Sequence, residues 1–385
     1  MRFALEALQA NDGDCLLLHY SPATVPAGGL APVLVLIDGG SRGVYNTVLK
    51  PRIDALRGQQ PLNLRMVMVS HIDLDHITGI VDLFKVLSDQ QQSGAEPFCR
   101  IRTLWFNSFE QVHGETHPSV AAASAAALGG PPIQGLDEQT QAVVASVPQG
   151  NQLRKLATDL QVPFNEGAGA PLVIPLAAAG RTVSIADGLT FTILAPPRDQ
   201  LDRLEHDWNK AKADHPADPA AQTADYLNNT VPNMSSIVVL AEAAVAGHAA
   251  KRMLLTGDAR GDVILTALDV AGLSSQGRCH FDLLKVQHHG SNHSTTQDFF
   301  ERVTADRYVI SGNGRHGIPH PDALGWLSAA RHGQPYEVFL TNRTGFDGLG
   351  AMLDTFLAKE AHDEPLHRYT FRGEHDLSLT VDLSA

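Results

Sequence analysis

The chain has 385 residues, of which 43% are hydrophobic, and this ordinary globular composition suits one elaborated domain or two modest ones. Its formal net charge of −13 excludes bulk attraction to a nucleic-acid backbone, so any such contact needs a local basic patch. Three widely spaced cysteines, no apolar run of about 18 residues and no secretory N-terminus predict a cytoplasmic protein without disulfides or membrane segments.

Short apolar runs separated by turns predict the regular elements in chain order. Several of these runs are apolar throughout, which is typical of strands buried on both faces. Strands interleaved with helices predict an α/β fold built in layers. Strands are predicted in a hairpin over 3–20 and at 33–37, 66–70, 182–185, 189–194, 237–240, 252–255, 283–286 and 307–310, helices at 44–56 and 77–87, and strand-like pieces from about 336 onward.

Two stretches interrupt this pattern. Residues 107–180 are rich in alanine, glutamine, glycine and proline, and residues 198–230 are polar. We interpret both as insertions, and the second as a lid over the site. The expected organisation is therefore one domain over 1–345 that carries both insertions. Residues 346–385 are expected to form a C-terminal extension that packs on its core.

The segment from His71 to His76 places four metal-ligating side chains in six positions, directly after a predicted strand. On extended backbone, His71 and Asp73 project to the same side and can bind one ion, while Asp75 and His76 can bind a second. Imidazole with carboxylate suits Zn²⁺, Fe or Mn²⁺, and the additional carboxylate favours the harder ions. The alternative is a solvated turn in which Asp75 caps the following helix.

Three later positions carry the same chemistry. Asp258 follows an apolar strand and could bridge two ions or cap a helix. Adjacent His288 and His289 on extended backbone would face opposite ways, so that one binds metal and the other orients a phosphate or water; the sequence does not separate them. His320 could protonate a leaving group, bind the phosphate or lie on the surface. Asp38 is expected to support His71 or His76 from behind.

The segment from His71 to His76, followed by Gly79, resembles the H-x-H-x-D-H signature of the metallo-β-lactamase superfamily, with Asp73 where the commonest form has histidine. This variant is typical of the branch that includes the hydrolase domain of ComEC/Rec2-type DNA-uptake proteins and phosphorylcholine esterase. Other segments resemble that branch in order, namely Gly13–Leu17, Leu36–Gly40, Leu254–Asp258, the H-H-G-S segment Leu284–Ser291, and 311–321.

The resemblance implies an αββα sandwich of two mixed β-sheets with outer helices, and a site for one or two divalent metal ions, zinc or manganese. The superfamily usually supplies a further histidine before the strand that ends at Asp258. Residues 233–236 offer only weak ligands there, so the number of ions stays open. The implied ligands are His71, Asp73, Asp75, His76, Asp258, His288 and His289, and the implied catalytic residues are Asp75, His289 and His320.

The expected activity is that of a metal-dependent hydrolase in which a metal-bound hydroxide attacks a phosphodiester. The substrate would be a nucleic acid or a small diester, so the protein would be a nuclease or phosphodiesterase; no protein partner is predicted. A carbonyl-centred hydrolase, such as a lactonase or β-lactamase-like enzyme, is a rival that Asp73 and the H-H-G-S segment count against. A noncatalytic metal-binding effector module is the other rival.

Overall fold

The computed structural model of the protein describes residues 1–22, 32–108, 138–169, 173–175, 180–214, 235–245, 247 and 249–384. Two mixed β-sheets pack face to face, and helices cover the outer side of each. The predicted αββα sandwich is therefore confirmed. None of the helices in these ranges is long and apolar enough to cross a membrane.

The first sheet has six strands, and its order places the chain's first and last strands side by side. The hairpin and its neighbours are antiparallel, whereas the strands at the other edge run parallel. The order across the sheet is β16 (Ser378–Asp382), β1 (Arg2–Leu8), β2 (Leu16–Ser21), β3 (Val33–Ile37), β5 (Met66–Met68) and β7 (Leu104–Trp105). A separate parallel pair is formed by β4 (Leu62–Leu64) and β6 (Cys99–Ile101).

The second sheet has eight strands. Its first four strands in chain order are antiparallel neighbours, and the remaining pairs are parallel. The order is β15 (His367–Phe371), β14 (Tyr336–Leu340), β13 (Val303–Ile310), β12 (Cys279–Lys285), β11 (Lys251–Leu255), β10 (Val238–Ala243), β9 (Leu189–Ala195) and β8 (Arg181–Ala186).

The helices follow the strands of both sheets. The helix predicted at 44–56 begins as a π-helix, Tyr45–Leu49, and continues as α1. The helix predicted at 77–87 is longer in the structure, where it runs over Leu74–Ser93. The α-helices in the described ranges are α1 (Lys50–Arg57), α2 (Leu74–Ser93), α3 (Glu138–Asp159), α4 (Arg198–Asp214), α5 (Gly261–Val270), α6 (Gln297–Arg302), α7 (Pro321–Ala330) and α8 (Leu349–Asp363).

Three apolar clusters correspond to the three interfaces between layers, and period-two alternation of side chains sorts residues between them. In β3, Val35 faces the other sheet whereas Leu36 faces the α2 side. In β12, Leu283 lies between the sheets and Leu284 packs under the helices of the outer layer. Both faces of β3 are buried, so its sequence is a continuous apolar run rather than an alternating one.

The predicted insertions and extension contact the sandwich closely. Helix α3, from the 107–180 stretch, packs against α2, and its Leu153 and Ala157 are buried in the same cluster. Of the proposed lid, only α4 is described, because residues 215–230 lie outside the described ranges. Segment 346–385 supplies α8 and one edge strand to each sheet. The division at residue 345 stays a prediction.

A close approach of two backbones fixes where α2 begins relative to the first sheet. Gly39, just after β3, lies against Gly79 in α2, and a Cβ on Gly79 would be 1.9 Å from the Gly39 carbonyl oxygen. The Gly39 amide also donates to the carbonyl of His76 at 2.7 Å. Only glycine permits this contact, which holds the His71–His76 segment at the edge of the sandwich.

Candidate metal centre

The loops that follow β3, β5, β11 and β12 meet the β1–β2 turn at one edge of the sandwich. Loops at strand ends can carry functional side chains on a rigid scaffold. The turn packs tightly on the others, because a Cβ on Gly13 would lie 1.7 Å from the carbonyl oxygen of Asp75. This edge holds a cluster of aspartates and histidines.

The acidic residues between His71 and His76 point into the cluster. Asp73, not Asp75, occupies the N-cap position of α2, with φ −60° and ψ 148°, and its side chain makes no capping hydrogen bond. Its Oδ2 instead lies 3.4 Å from Nε2 of His71. Asp75 Oδ2 lies 3.6 Å from Nε2 of His76. The helix cap expected for Asp75 in the alternative interpretation is therefore wrong.

Asp258 lies at the centre of four imidazoles. Its Oδ2 is 3.9 Å from Nε2 of His71, 3.4 Å from that of His76, 3.7 Å from that of His288 and 3.5 Å from that of His289. His71 and His76 follow β5 of one sheet, and His288 and His289 follow β12 of the other, so the carboxylate links both halves of the sandwich.

The backbone at the histidine pair differs from the extended conformation that the sequence suggested. His288 and His289 have φ of 46° and 53°, in the left-handed region. Both rings therefore turn toward Asp258, and the prediction that they face opposite ways is wrong. His289 also approaches Asp75, with Nε2 to Oδ2 at 3.6 Å. Its ring is buried, whereas the His288 side chain is 13% exposed.

A serine and an aspartate fix the imidazoles of His71 and His76 from behind. Ser70 donates its hydroxyl to Oδ2 of Asp38 at 2.6 Å, so its oxygen accepts from Nδ1 of His71 at 3.0 Å. His76 donates from Nδ1 to the same Oδ2 at 2.9 Å. With the proton on Nδ1 of each ring, the Nε2 lone pairs face Asp258. Asp38 thus lies behind His76, as predicted, and contacts His71 through Ser70.

A second serine–aspartate pair lies behind His289. Ser311 donates to Oδ1 of Asp14, and His289 donates from Nδ1 to the Ser311 hydroxyl at 3.0 Å. Lys285 completes the arrangement with Nζ 2.8 Å from Oδ2 of Asp14. No role was predicted for these three residues from the sequence. The signal for Lys285 was a single charge inside the apolar run Leu283–Val286.

Burial disfavours the charged form of each of these groups. At most of them the attraction of neighbouring opposite charges outweighs the effect of burial. Burial alone would raise the pKa of Asp258, but the histidines, His289 first, hold that pKa well below its ordinary value. Burial would lower the pKa of His289, but Asp258 and Asp14 raise it to about 9. At His288 burial prevails and its pKa is lowered. The cluster is therefore a strongly interacting set of acids and bases.

The donor atoms fit a divalent metal centre. Nε2 of His71, His76 and His289 and one oxygen each of Asp73 and Asp258 are buried without a hydrogen-bond partner among the described residues. Such atoms are costly unless something binds them. Ligand atoms of His71, His76 and Asp258 lie within 4.8 Å of one another, as do those of Asp75, His76 and His289. Imidazole nitrogens with carboxylates are suitable ligands for zinc or manganese.

Two further predicted features concern His320 and residues 233–236. His320 caps α7, since its Nδ1 accepts from the amide of Asp322 at 3.2 Å. Its amide donates to the carbonyl of Gly290, next to His289, at 3.0 Å. Of residues 233–236, Asn233 is outside the described ranges, and Ser236 is buried with no described hydrogen-bond partner for its hydroxyl.

A family model matches part of the chain. Residues 34–151 match the family model described as Metallo-beta-lactamase superfamily. This stretch includes the segment from His71 to His76. No curated protein matches the chain. The ComEC/Rec2-type branch stays a prediction.

Among solved structures, the chain is similar to one titled "Crystal structure of Metalo beta Lactamases MIM-1 from Novosphingobium pentaromativorans". The identity is 14%, the match covers 93% of this chain and 92% of that chain, and the TM-score is 0.31. Identity and TM-score are too low for this similarity to bear on the site.

Proposed function

We propose that the protein is a metal-dependent phosphodiesterase, with its centre formed by the predicted ligands around Asp258. The superfamily whose model matches consists mostly of metal-dependent hydrolases, which supports the broader part of the proposal. The observation that carries it is the convergence of buried, unpartnered Nε2 atoms on one carboxylate. A purely structural cluster would satisfy these atoms with hydrogen bonds.

The proposed ligands divide into two subsites that share Asp258. One contains His71 and Asp73, while His288 faces the same oxygen of Asp258 as His71 and is assigned to contact substrate. The other contains the residues whose ligand atoms group around His76, namely Asp75, His76 and His289. Divalent ions bound there would lower the pKa of a water molecule and polarise the bond to be cleaved. The protein's own part is to fix the imidazole tautomers and to exclude water from the buried side.

One feature favours phosphorus over carbon as the electrophile. Asp73 adds a carboxylate at the position where the commonest superfamily signature has histidine, and carboxylates favour hard ions such as Mn²⁺, which suit phosphate oxygens.

His320 is proposed to protonate the leaving group. Because Nδ1 of His320 accepts a backbone hydrogen bond, the proton of the neutral ring lies on Nε2, the atom that would have to donate.

The test compares substrates at equal metal content. The protein is stripped with chelator, reloaded with manganese or zinc, and assayed with an activated phosphodiester, single-stranded DNA, an activated carboxyl ester and a lactone. Metal-dependent turnover of the diester, lost in Asp258→Asn and kept in Asp282→Asn, is expected. Asp282 is a matched control because its carboxylate binds Lys251 at 2.7 Å on another part of the sheet. Faster turnover of ester or lactone would favour the carbonyl-centred rival, and metal binding without any turnover would favour the noncatalytic one.

A further inference from the structure

A buried ion pair between Lys285 and Asp14 has no part in the chemistry proposed above. The two side chains are 1% and 2% exposed, and the charged atoms are 2.8 Å apart. Lys285 ends β12, whereas Asp14 lies in the turn between β1 and β2, so the pair connects the two sheets. Removing two charges from water offsets most of their attraction, so stability alone is a weak explanation for such a pair.

The geometry of the pair leads to His289. Each oxygen of Asp14 has its own partner, Oδ1 accepting from Ser311 and Oδ2 from Lys285. Lys285 also donates to the carbonyl of Val286 at 3.1 Å, which fixes its ammonium group. Because the Ser311 proton is directed to Asp14, the hydroxyl oxygen can only accept from Nδ1 of His289. Asp14, Lys285 and Ser311 are called the anchor triad below.

We propose that the anchor triad holds His289 in the Nδ1–H tautomer and thereby sets the metal affinity of the subsite that His289 shares with Asp75. The inference rests on the proposed metal centre. A ring anchored in this way presents its Nε2 lone pair to the site without first reorienting. His71 has a different anchor, Ser70, so the subsite of His71 should not depend on the triad. The triad members are positioning residues, because the two oxygens of Asp14 are taken by Ser311 and Lys285 and the Ser311 hydroxyl by His289.

The main experiment removes one hydroxyl. Zinc affinity is measured by competition with a chelator for Ser311→Ala in a His71→Ala background, so that the Asp75 subsite is observed. We expect a loss of ~10–100-fold relative to His71→Ala alone, as is usual when the hydrogen-bond partner of a ligand is removed. Ser311→Thr keeps the hydroxyl and should restore most of the affinity. In metal-free protein at alkaline pH, where the ring is neutral, ¹⁵N NMR of labelled histidine should show His289 change from one tautomer to a mixture in Ser311→Ala.

A matched control separates this role from a general effect on the fold. Ser328→Ala also removes a buried hydroxyl that donates to a carboxylate, that of Glu360 at 2.6 Å between α7 and α8, and should leave zinc affinity unchanged. Native zinc affinity and an unchanged tautomer in Ser311→Ala would overturn the proposal, as would an equal loss in Ser328→Ala. A native protein that binds neither zinc nor manganese would overturn the proposed function instead, whereas the tautomer measurement needs no metal and still tests the triad.

Discussion

His76 donates a hydrogen bond of 2.9 Å from its Nδ1 to Oδ2 of Asp38, and both side chains are buried. The same carboxylate accepts from the amide and hydroxyl of Ser70, so one aspartate fixes two neighbouring imidazoles. Asp38→Asn keeps the size but removes the charge. We expect ~10–100-fold weaker zinc or manganese binding with the fold retained, measured by metal titration and circular dichroism. Asp282→Asn, a change of the same kind remote from the site, should leave binding unchanged; equal affinities in the two variants would contradict this role.

The contact between Gly39 and Gly79 predicts opposite signs for two similar substitutions. Alanine in a helix usually stabilises a protein by ~0.5–1 kcal/mol relative to glycine. In Gly79→Ala that gain is outweighed, because the new Cβ would lie 1.9 Å from a backbone oxygen, and overpacking of this kind costs ~1–3 kcal/mol or more. Gly325→Ala in α7 meets nothing within 4 Å and should show the ordinary gain. Urea unfolding measures both; stabilisation by both substitutions would show that the backbones separate at little cost.

A buried carboxylate far from the metal centre predicts how stability depends on acid pH. Burial would raise the pKa of Glu6, but hydrogen bonds from His19, Arg52 and Ser378 lower it from 4.5 to about 2. Because the pKa is lower in the folded protein, the ionised form stabilises the fold above pH 4.5, and this contribution is lost as pH falls toward 2. The contribution is on the order of 3 kcal/mol from the size of that shift.

Glu6→Gln should therefore be less stable than the native protein at pH 7, and the difference should shrink between pH 4.5 and 2. Denaturant unfolding at a series of pH values measures it. Glu96→Gln is the matched control, since Glu96 pairs with Arg100 at a side-chain exposure of 67% and should change stability by less than ~0.5 kcal/mol. A difference between Glu6→Gln and native protein that does not vary with pH would exclude the proposed linkage.

How far the sequence could predict the structure depended on whether the signal was local. The strand Val33–Ile37 has the bounds that its apolar run suggested, because a strand buried on both faces must be apolar throughout. The cluster from His71 to His76 was equally visible, since its ligands lie within six positions. Helix α8 was not predicted, because the sequence from 336 onward was interpreted only as strand-like pieces.

The hydrogen bonds that anchor the ligands could not be predicted from the sequence, for a different reason. Ser311 and Asp14 are far apart in the chain and meet only because β13 and the β1–β2 turn lie in facing sheets. The direction of the two adjacent histidines depends on backbone angles, and an extended conformation gave the wrong orientation for them. Side-chain chemistry indicated which residues could bind metal, but not how His289 is held in place.

The two adjacent histidines should differ in what they contribute. His289 approaches both Asp75 and Asp258 through Nε2, is buried and has an anchored Nδ1. His288 approaches Asp258 with Nε2 at 3.7 Å from Oδ2, and its side chain reaches solvent. Its Nδ1 lies 2.6 Å from the hydroxyl of Ser294. A buried ring facing two carboxylates suits a metal ligand, whereas a partly exposed ring beside the shared carboxylate is suited to contact substrate.

We therefore expect His289→Ala to lose one of two bound ions and His288→Ala to retain both while hydrolysis of the phosphodiester slows. Metal content by elemental analysis, measured beside kcat and KM, distinguishes the two roles. Loss of a ligand should lower metal affinity by more than the ~10–100-fold typical of residues behind the ligands. The exposed His332→Ala is a control for loss of an imidazole alone, since that side chain is 79% exposed. If His288→Ala lost an ion and His289→Ala did not, the two histidines would exchange roles, and the buried position of His289 would need another explanation.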